Sequence, residues 1–363
     1  MMRLGDYVTI KTGKLDANAA SKNGQYPFFT CAIEPLRIES YSYDCECVLV
    51  AGNGELNVKY YSGKFDAYQR TYIIESKNKR LLSVPYLFCF LEKYVETLRQ
   101  QSIGGVIKYI KLANITEAQI RIPSHLEQAY IVKKLNMVNA IIEQRKEQLA
   151  KLDQLVKSRF IEMFGDVIAN TREWKQYLFS EIATSRLGKM LDAKQQTGKN
   201  SFPYLANFNV QWFRFDLSSL NKMDFDKEDQ VEFELKEGDL LVCEGGEIGR
   251  CAVWHNEMQP CYFQKALHRV RCNTKVINPN YMAWWFKYNC DHNGFAAIEG
   301  AKATIAHLPG AKLKLLRVTT PPIELQNEFA SFIEQVDKSK LTIQASLDKL
   351  ELLKKSLMQE YFG

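Results

Sequence analysis

Two stretches of the chain carry apolar residues at alternating intervals of three and four. In the first, the positions are Leu135, Val138, Ile142, Arg145, Leu149, Leu152, Val156, Arg159 and Met163. In the second they are Ile333, Val336, Lys340, Ile343, Leu347, Leu350, Lys354, Leu357 and Tyr361. Sustained over several heptads, this spacing is the seam of a coiled coil. No Pro or Gly interrupts either stretch between the prolines that open it and the glycine that closes it, Gly165 or Gly363. Each therefore predicts one unbroken helix of about 38 residues, roughly 57 Å long. The charged interruptions are complementary: Arg145 and Arg159 stand where the other helix has Ile343 and Leu357, and Lys340 and Lys354 stand where the first has Ile142 and Val156. Charges at seam positions fix register and partner, so the two helices are expected to pair with each other. The intervening chain can run out and back, which favours an antiparallel pair.

The two stretches are also copies. Residues 123–165 and 321–363 align without a gap at a constant offset of 198, with twelve identities, among them Pro123, Gln128, Leu149, Leu152, Phe164 and Gly165. An internal repeat decides how everything else is read. Each helix follows a segment with short β-type runs: Cys47–Ala51 and Arg70–Ile74 in the first, Asp239–Cys243 and His268–Cys272 in the second. Further correspondences join these segments. Tyr26-Pro27-Phe28 resembles Phe202-Pro203-Tyr204, Leu4 to Val8 resembles Leu178 to Ile182, and Leu49 to Gly54 resembles Leu241 to Gly246. The expected organisation is a β-rich domain over 1–122, a long helix over 123–165, a polar linker over 166–173, a second β-rich domain over 174–320 and a second helix over 321–363. The fold class is α+β: two globular β-rich domains separated by two long antiparallel coiled-coil helices, a pseudo-twofold internal repeat.

Composition narrows the class without naming it. The 363 residues are 46% hydrophobic and 12% aromatic, as in an ordinary globular protein. The net charge of +6 is concentrated before residue 166, with +3 over 1–120 and +3 over 121–165. A mild basic excess of this kind suits nucleic acid. No apolar run approaches the length needed to span a bilayer, and the first residues lack the apolar core of a leader, so a cytoplasmic protein without membrane contact is expected. The nine cysteines show no framework spacing and read as reduced, mostly core-filling thiols.

With this order of segments, the chain resembles the DNA specificity subunit of type I restriction–modification enzymes over essentially its whole length. The resemblance rests on the alternation of globular segment and helix, on the openings Pro123-Ser124-His125-Leu126-Glu127-Gln128 and Pro321-Pro322-Ile323-Glu324-Leu325-Gln326, and on the close Ser158-Arg159-Phe160-Ile161-Glu162-Met163-Phe164-Gly165-Asp166. It implies a non-catalytic subunit with two target-recognition domains, each reading one half of a bipartite site in double-stranded DNA. It implies two methyltransferase subunits docked on the helices and restriction subunits joining them. S-adenosylmethionine, ATP and Mg would be used by those partners, with no cofactor for this chain. Half-sites read from one face of B-DNA lie about one helical turn, roughly 34–36 Å, or a multiple apart, which a rigid helix can span. The first globular segment is the shorter, implying a reduced DNA surface there.

Candidate contacts are long polar side chains in loops that correspond between the repeats. In the first domain they are Lys11, Lys14, Asn57, Lys59, Tyr60, Gln69, Arg70 and Lys108. In the second they are Arg186, Lys189, Lys194, Gln195, Lys199, Arg250, Lys302 and Thr304. Lysines neutralise phosphate, while Gln, Asn and Arg can pair with base edges.

Catalytic signatures are missing. Asn278-Pro279-Asn280-Tyr281 approaches the Asn-Pro-Pro-Tyr motif of adenine methyltransferases, but a proline opening a helix accounts for it better, and no glycine-rich cofactor loop follows a strand. Glu234-Leu235-Lys236 matches a nuclease fragment without its upstream partner and reads as a charged strand or turn. The cysteines and histidines lack zinc spacing, and Trp284-Trp285-Phe286 reads as core. The alternatives to a specificity subunit are a fused DNA methyltransferase or nuclease, and a coiled-coil scaffold that binds proteins.

Overall fold

The computed structural model describes residues 1–192, 196–295 and 307–363. Both heptad stretches are single helices of 40 residues, His125–Phe164 and Ile323–Phe362. The first ends at Gly165, whose positive φ of 71° and whose N–H bond back to the Ile161 carbonyl (2.8 Å) stop the helix. The chain divides into two compact units that cut across both helices: 1–148 with 343–363, and 149–342.

In the first unit, six strands form one sheet in the order Val8–Thr12, Thr71–Ser76, Tyr43–Ala51, Val58–Ala67, Tyr26–Phe29, Leu36–Ile38. All neighbours are antiparallel except Tyr26–Phe29, which runs parallel to Val58–Ala67. Helix Val84–Gln101 covers one face with Leu87, Phe90, Leu91 and Leu98 buried. The second unit repeats this path. Ala183–Leu187, Leu267–Cys272, Leu240–Cys243 and Cys251–Val253 form one sheet, and Asn221–Asp224, Ser201–Leu205 and Tyr262–Phe263 form another. Again one pair is parallel, Ser201–Leu205 with Tyr262–Phe263. The ten-residue strand Val58–Ala67 is thus matched by two short ones, Cys251–Val253 and Tyr262–Phe263, so one sheet becomes two. Helix Pro279–Asp291 takes the place of Val84–Gln101, opened by Asn278, whose side chain accepts from the Asn280 N–H, with Pro279 in the first turn. That capping turn is the structural role of the Asn-Pro-Asn-Tyr sequence. Trp285 and Phe286 are core, as expected.

Each unit joins its domain to the helices in the same way. Gln128 and Gln326 are fully buried. The Gln128 side chain accepts from the N–H of Ser83 (2.9 Å), the residue that opens helix Val84–Gln101, and donates to the carbonyls of Leu81 (2.7 Å) and Pro123 (3.0 Å). Gln326 accepts from the N–H of Asn278 (2.9 Å) and donates to Val276 (3.1 Å) and Pro321 (2.7 Å). One turn further on, Tyr86 and Tyr281, both fully buried, donate to the carbonyls of Arg121 (2.9 Å) and Thr319 (2.7 Å). Their rings pack on the far ends of the other long helix: Tyr86 on Phe362 (5.2 Å) and Tyr281 on Phe164 (4.8 Å).

The expected seam forms, and the helices pair antiparallel. In the second unit Val156, Phe160, Met163 and Phe164 share one core with Phe329 and Val336. Arg159 reaches Glu328 (3.0 Å) and Lys340 reaches Asp153 (2.6 Å). In the first unit Lys134 meets Tyr361 (3.3 Å). The four charges on the seam all find partners: Arg145 donates to Gln148 (2.8 Å), Lys354 to Glu92 (3.0 Å), and Arg159 and Lys340 pair as above.

Replacing Gln326 by Met keeps the bulk but removes all three bonds, leaving a buried N–H and two carbonyls unmatched. The expected cost is about 1–3 kcal/mol, read as a lower urea midpoint and as faster hydrogen exchange at the Asn278 amide.

Candidate nucleic-acid interface

At one end of the first sheet, backbone hydrogen bonds weave several loop segments together. Gly13 N–H donates to Thr71 (3.1 Å), Gln69 to Leu15 (2.9 Å), Gly52 to Arg70 (2.8 Å), Ile110 to Gly52 (2.9 Å) and Gly54 to Lys108 (2.8 Å). This brings Lys14, Gln69, Arg70 and Lys108 onto neighbouring segments, each of them exposed. The second domain has the same weave: Gly188 donates to Leu267 (3.0 Å), Lys189 to Phe263 (3.1 Å), Lys265 to Lys189 (3.0 Å), Glu244 to Ala266 (3.0 Å) and Leu308 to Glu244 (2.7 Å).

Several candidates are occupied elsewhere. Lys11 pairs with Glu75 (3.0 Å) on the neighbouring strand, and Tyr60 donates to Glu46 (2.9 Å). Lys59 is half-buried and donates to Asn57; burial holds its amine below the ordinary lysine range. Arg186 pairs with Glu232 (2.6 Å) but stays exposed. Lys189 turns inward, paired with Asp229, bonded to the Asp224 carbonyl (2.8 Å) and set over the Phe225 ring (5.2 Å). Lys199 is exposed, beside a turn whose Thr197 hydroxyl (2.8 Å) and Thr197 and Gly198 N–H groups (2.6 and 2.8 Å) hold the Asp224 carboxyl below the usual range. Lys194, Gln195, Lys302 and Thr304 lie outside the described residues.

Asn57 and Arg250 do a job that their residue types did not disclose. They occupy equivalent places, just before Val58–Ala67 and Cys251–Val253. Asn57 donates to the Cys31 carbonyl (2.8 Å), and Arg250 donates to the Asn207 carbonyl (3.0 Å) and side-chain oxygen (3.1 Å). Both thereby pin the connection that leaves the parallel strand, after Phe29 or after Leu205. Asn207 in turn donates to Gly245 (2.9 Å), and the Cys31 thiol to Arg70 (3.6 Å), so the pinned connection borders the weave. It carries Ile33 (60% exposed) and Phe208 (52% exposed), apolar residues that stand outside the polar candidates. The signal was present as length: this connection covers residues 30–35 in one domain and 206–220 in the other.

Comparison with known proteins decides the family. A profile of the type I restriction modification DNA specificity domain matches residues 1–154 and again 171–352. The chain belongs to this family. The specificity subunit of the type I restriction enzyme EcoDI from Escherichia coli is 27% identical over 392 aligned positions, covering 99% of this chain and 87% of that protein. Two solved structures share the fold. The type I S subunit from M. genitalium has a TM-score of 0.64 at 14% identity, covering 100% of this chain and 95% of that one. A chain from a study of complex assembly and conformational transition of the type I R-M system has a TM-score of 0.60 at 14% identity, covering 99% and 96%. This is a type I specificity subunit, a DNA-recognition protein rather than the catalytic one.

All nine cysteines are free and none is exposed; burial pushes the Cys243 thiol up to about 11, which keeps it protonated and unreactive at neutral pH. Among the described residues no three His, Cys, Asp or Glu side chains gather to hold a metal ion. Among the same residues no helix is long and apolar enough to cross a membrane. Glu234-Leu235-Lys236 is an irregular stretch leading into a turn: the Glu234 carbonyl faces Arg271 (3.4 Å), and the Lys236 N–H donates to Asp239 (2.8 Å).

Arg250→Ala frees Asn207 and loosens residues 206–209. It should cost about 1–2 kcal/mol and raise protease sensitivity within 206–220. Arg250→Lys should restore little, because a single ammonium does not replace the guanidinium fork that meets both oxygens.

Proposed function

We propose that this specificity subunit reads a bipartite site in double-stranded DNA, one half with each β-rich domain, and carries two methyltransferase subunits, joined by restriction subunits, on its long helices. It works in the compartment that holds the cell's DNA, the cytoplasm. S-adenosylmethionine, ATP and Mg belong to the partners' chemistry, and this chain takes no cofactor.

The observation that carries the reading is the duplicated loop weave. Each domain holds exposed polar side chains on backbone segments locked to a sheet edge, and each domain is locked to the helices by the same buried glutamine and tyrosine. Loops presented from a rigid base are suited to specific recognition, because little ordering remains to be paid at binding. Lys14, Arg70 and Lys108 are exposed cations of the first weave and Lys265 is one of the second, with Arg186 and Lys199 the exposed candidates elsewhere in the second domain. Gln69 is the candidate for a base edge. Asn57, Lys59, Lys189 and Arg250 act by holding loops, with Lys11 and Tyr60 paired beside them. Lys194, Gln195, Lys302 and Thr304 remain proposed contacts on sequence grounds alone.

An apolar face on the first long helix supports the partner reading. Leu126, Tyr130 and Met137 are 83%, 59% and 58% exposed, and a groove of about 640 Å³ beside them is lined by Pro85, Ala129, Val132 and Met137. At the repeat-equivalent places the second helix has Glu324, Glu328 and Gln335. An exposed apolar stripe rimmed by polar residues marks a protein contact, and a helical subunit is the occupant that this shape suits.

Co-expression with the methyltransferase subunit, followed by mapping of methylated adenines in host DNA, tests the whole reading. Two short half-sites at a fixed spacing are expected; methylation at one contiguous motif would overturn it. Lys14→Ala or Lys108→Ala should weaken binding for every sequence and lower the salt slope by about 1. Met137→Asp should weaken capture of the methyltransferase subunit about tenfold and leave the DNA affinity of the isolated chain unchanged.

A further inference from the structure

The loop from Ile103 to Tyr109 carries a feature that phosphate contact does not explain. Four of its seven residues are large, apolar or aromatic, and exposed: Ile103 (43%), Val106 (104%), Ile107 (62%) and Tyr109 (38%). Single exposed apolar residues are normal, whereas a cluster at one tip is not. The loop is also rigidly built. Ile103 and Tyr109 exchange two backbone hydrogen bonds (3.0 and 2.8 Å), and the base is tied to Gly52 and Gly54 through Ile110 (2.9 Å) and Lys108 (2.8 Å). Gly104 sits at φ 119°, where a Cβ would come within 2.6 Å of the Ile107 carbonyl, so only glycine makes this turn. Lys108 lies in the loop itself, and the segment of Gln69 and Arg70, both exposed, is joined to the loop's base through Gly52, whose N–H donates to the Arg70 carbonyl (2.8 Å) and whose carbonyl accepts from Ile110 (2.9 Å).

We propose that Val106 and Ile107 form an apolar tip that enters a DNA groove and packs against bases of the first half-site. This rests on the DNA-reading role proposed above and deepens it. The cations in and beside the loop direct the tip to an anionic polymer. The tip itself offers no donor or acceptor from its side chains, so it makes the apolar contacts that thymine methyls and base faces accept. Because the turn is held by Gly104 and by the base, the two side chains are presented without a folding cost at binding.

The test uses the assembled complex with its methyltransferase subunits and a duplex of about 40 base pairs carrying the mapped motif. Binding is titrated at several salt concentrations for the wild type, for Val106→Ser with Ile107→Ser, and for Val106→Leu. Steep salt-dependent binding by the wild type is the control on the DNA-reading role itself. With that in place, the double serine variant should lose about tenfold in affinity at every salt concentration with an unchanged slope, and Val106→Leu should lose little. Base substitutions in the first half-site should then cost the serine variant less than the wild type. Unchanged affinity would overturn the proposal. A lowered salt slope would also do so, by making the loop a phosphate contact. Loss of the methyltransferase subunits in the absence of DNA would overturn it too, by assigning the tip to a protein partner.

Discussion

One buried side chain in each half joins the two kinds of structure in this protein. Gln128 and Gln326 lie on the first turn of their helices, and each uses its carbonyl and both of its N–H hydrogens on backbone groups that belong partly to the globular domain. A buried amide left half-satisfied is costly, whereas a fully satisfied one permits only one geometry. The tyrosine one turn along each domain helix adds a second point, bonded near the start of one long helix and stacked on the end of the other. A domain held at two points by directional bonds does not pivot freely. Everything proposed about reading DNA depends on this, because loops can be no better placed than the base that carries them.

Heptad spacing made the long helices legible, since a seam of buried residues leaves a regular trace along the chain. The charged seam positions could be read as well, although not their partners: Lys340 meets Asp153 and Lys354 meets Glu92, residues far away along the chain. Gln128 stood out as an identity between the repeats, but identity alone did not say what it bonds. The candidate contacts were the least legible. Asn57, Lys189 and Arg250 have the residue types that DNA contacts need, and the same types also tie loops together. Which task each performs depends on acceptors that folding brings near: Cys31 for Asn57, Asp229 for Lys189 and Asn207 for Arg250. The apolar residues Phe208, Val106 and Ile107 have no side-chain donor or acceptor, the feature that marks a candidate contact in the sequence, although Val106 and Ile107 adjoin Lys108.

The two domains show how one plan tolerates different reading surfaces. The strand order, the parallel pair, the helix with a proline in its first turn and the loop weave are common to both. What differs is the length of connections at the sheet edge. Residues 206–220 replace a six-residue link, and helix Lys227–Phe233 fills a connection that is four residues long in the first domain. Insertions at such places cost little, because loop closure rises only slowly with length. They also leave the sheet core untouched, with Leu240, Leu241 and Val242 buried in one domain as Val48, Leu49 and Val50 are in the other.

The seam itself follows the same economy. Apolar residues at all eighteen seam positions would give a stickier pair of helices, but one free to slip by a heptad or to pair with another copy. Arg159 with Glu328 and Lys340 with Asp153 form only if the helices run antiparallel in one register. Each pair is partly exposed and adds little stability by itself. A shift by seven residues would break both pairs, leaving Arg159 and Lys340 with only Glu162 and Asp337 on their own helices. Register and partner are thus set by what the wrong pairing would lose rather than by what the right one gains. Within each unit, a fixed register also sets which end of the partner helix meets the domain's buried tyrosine, Phe362 for Tyr86 and Phe164 for Tyr281.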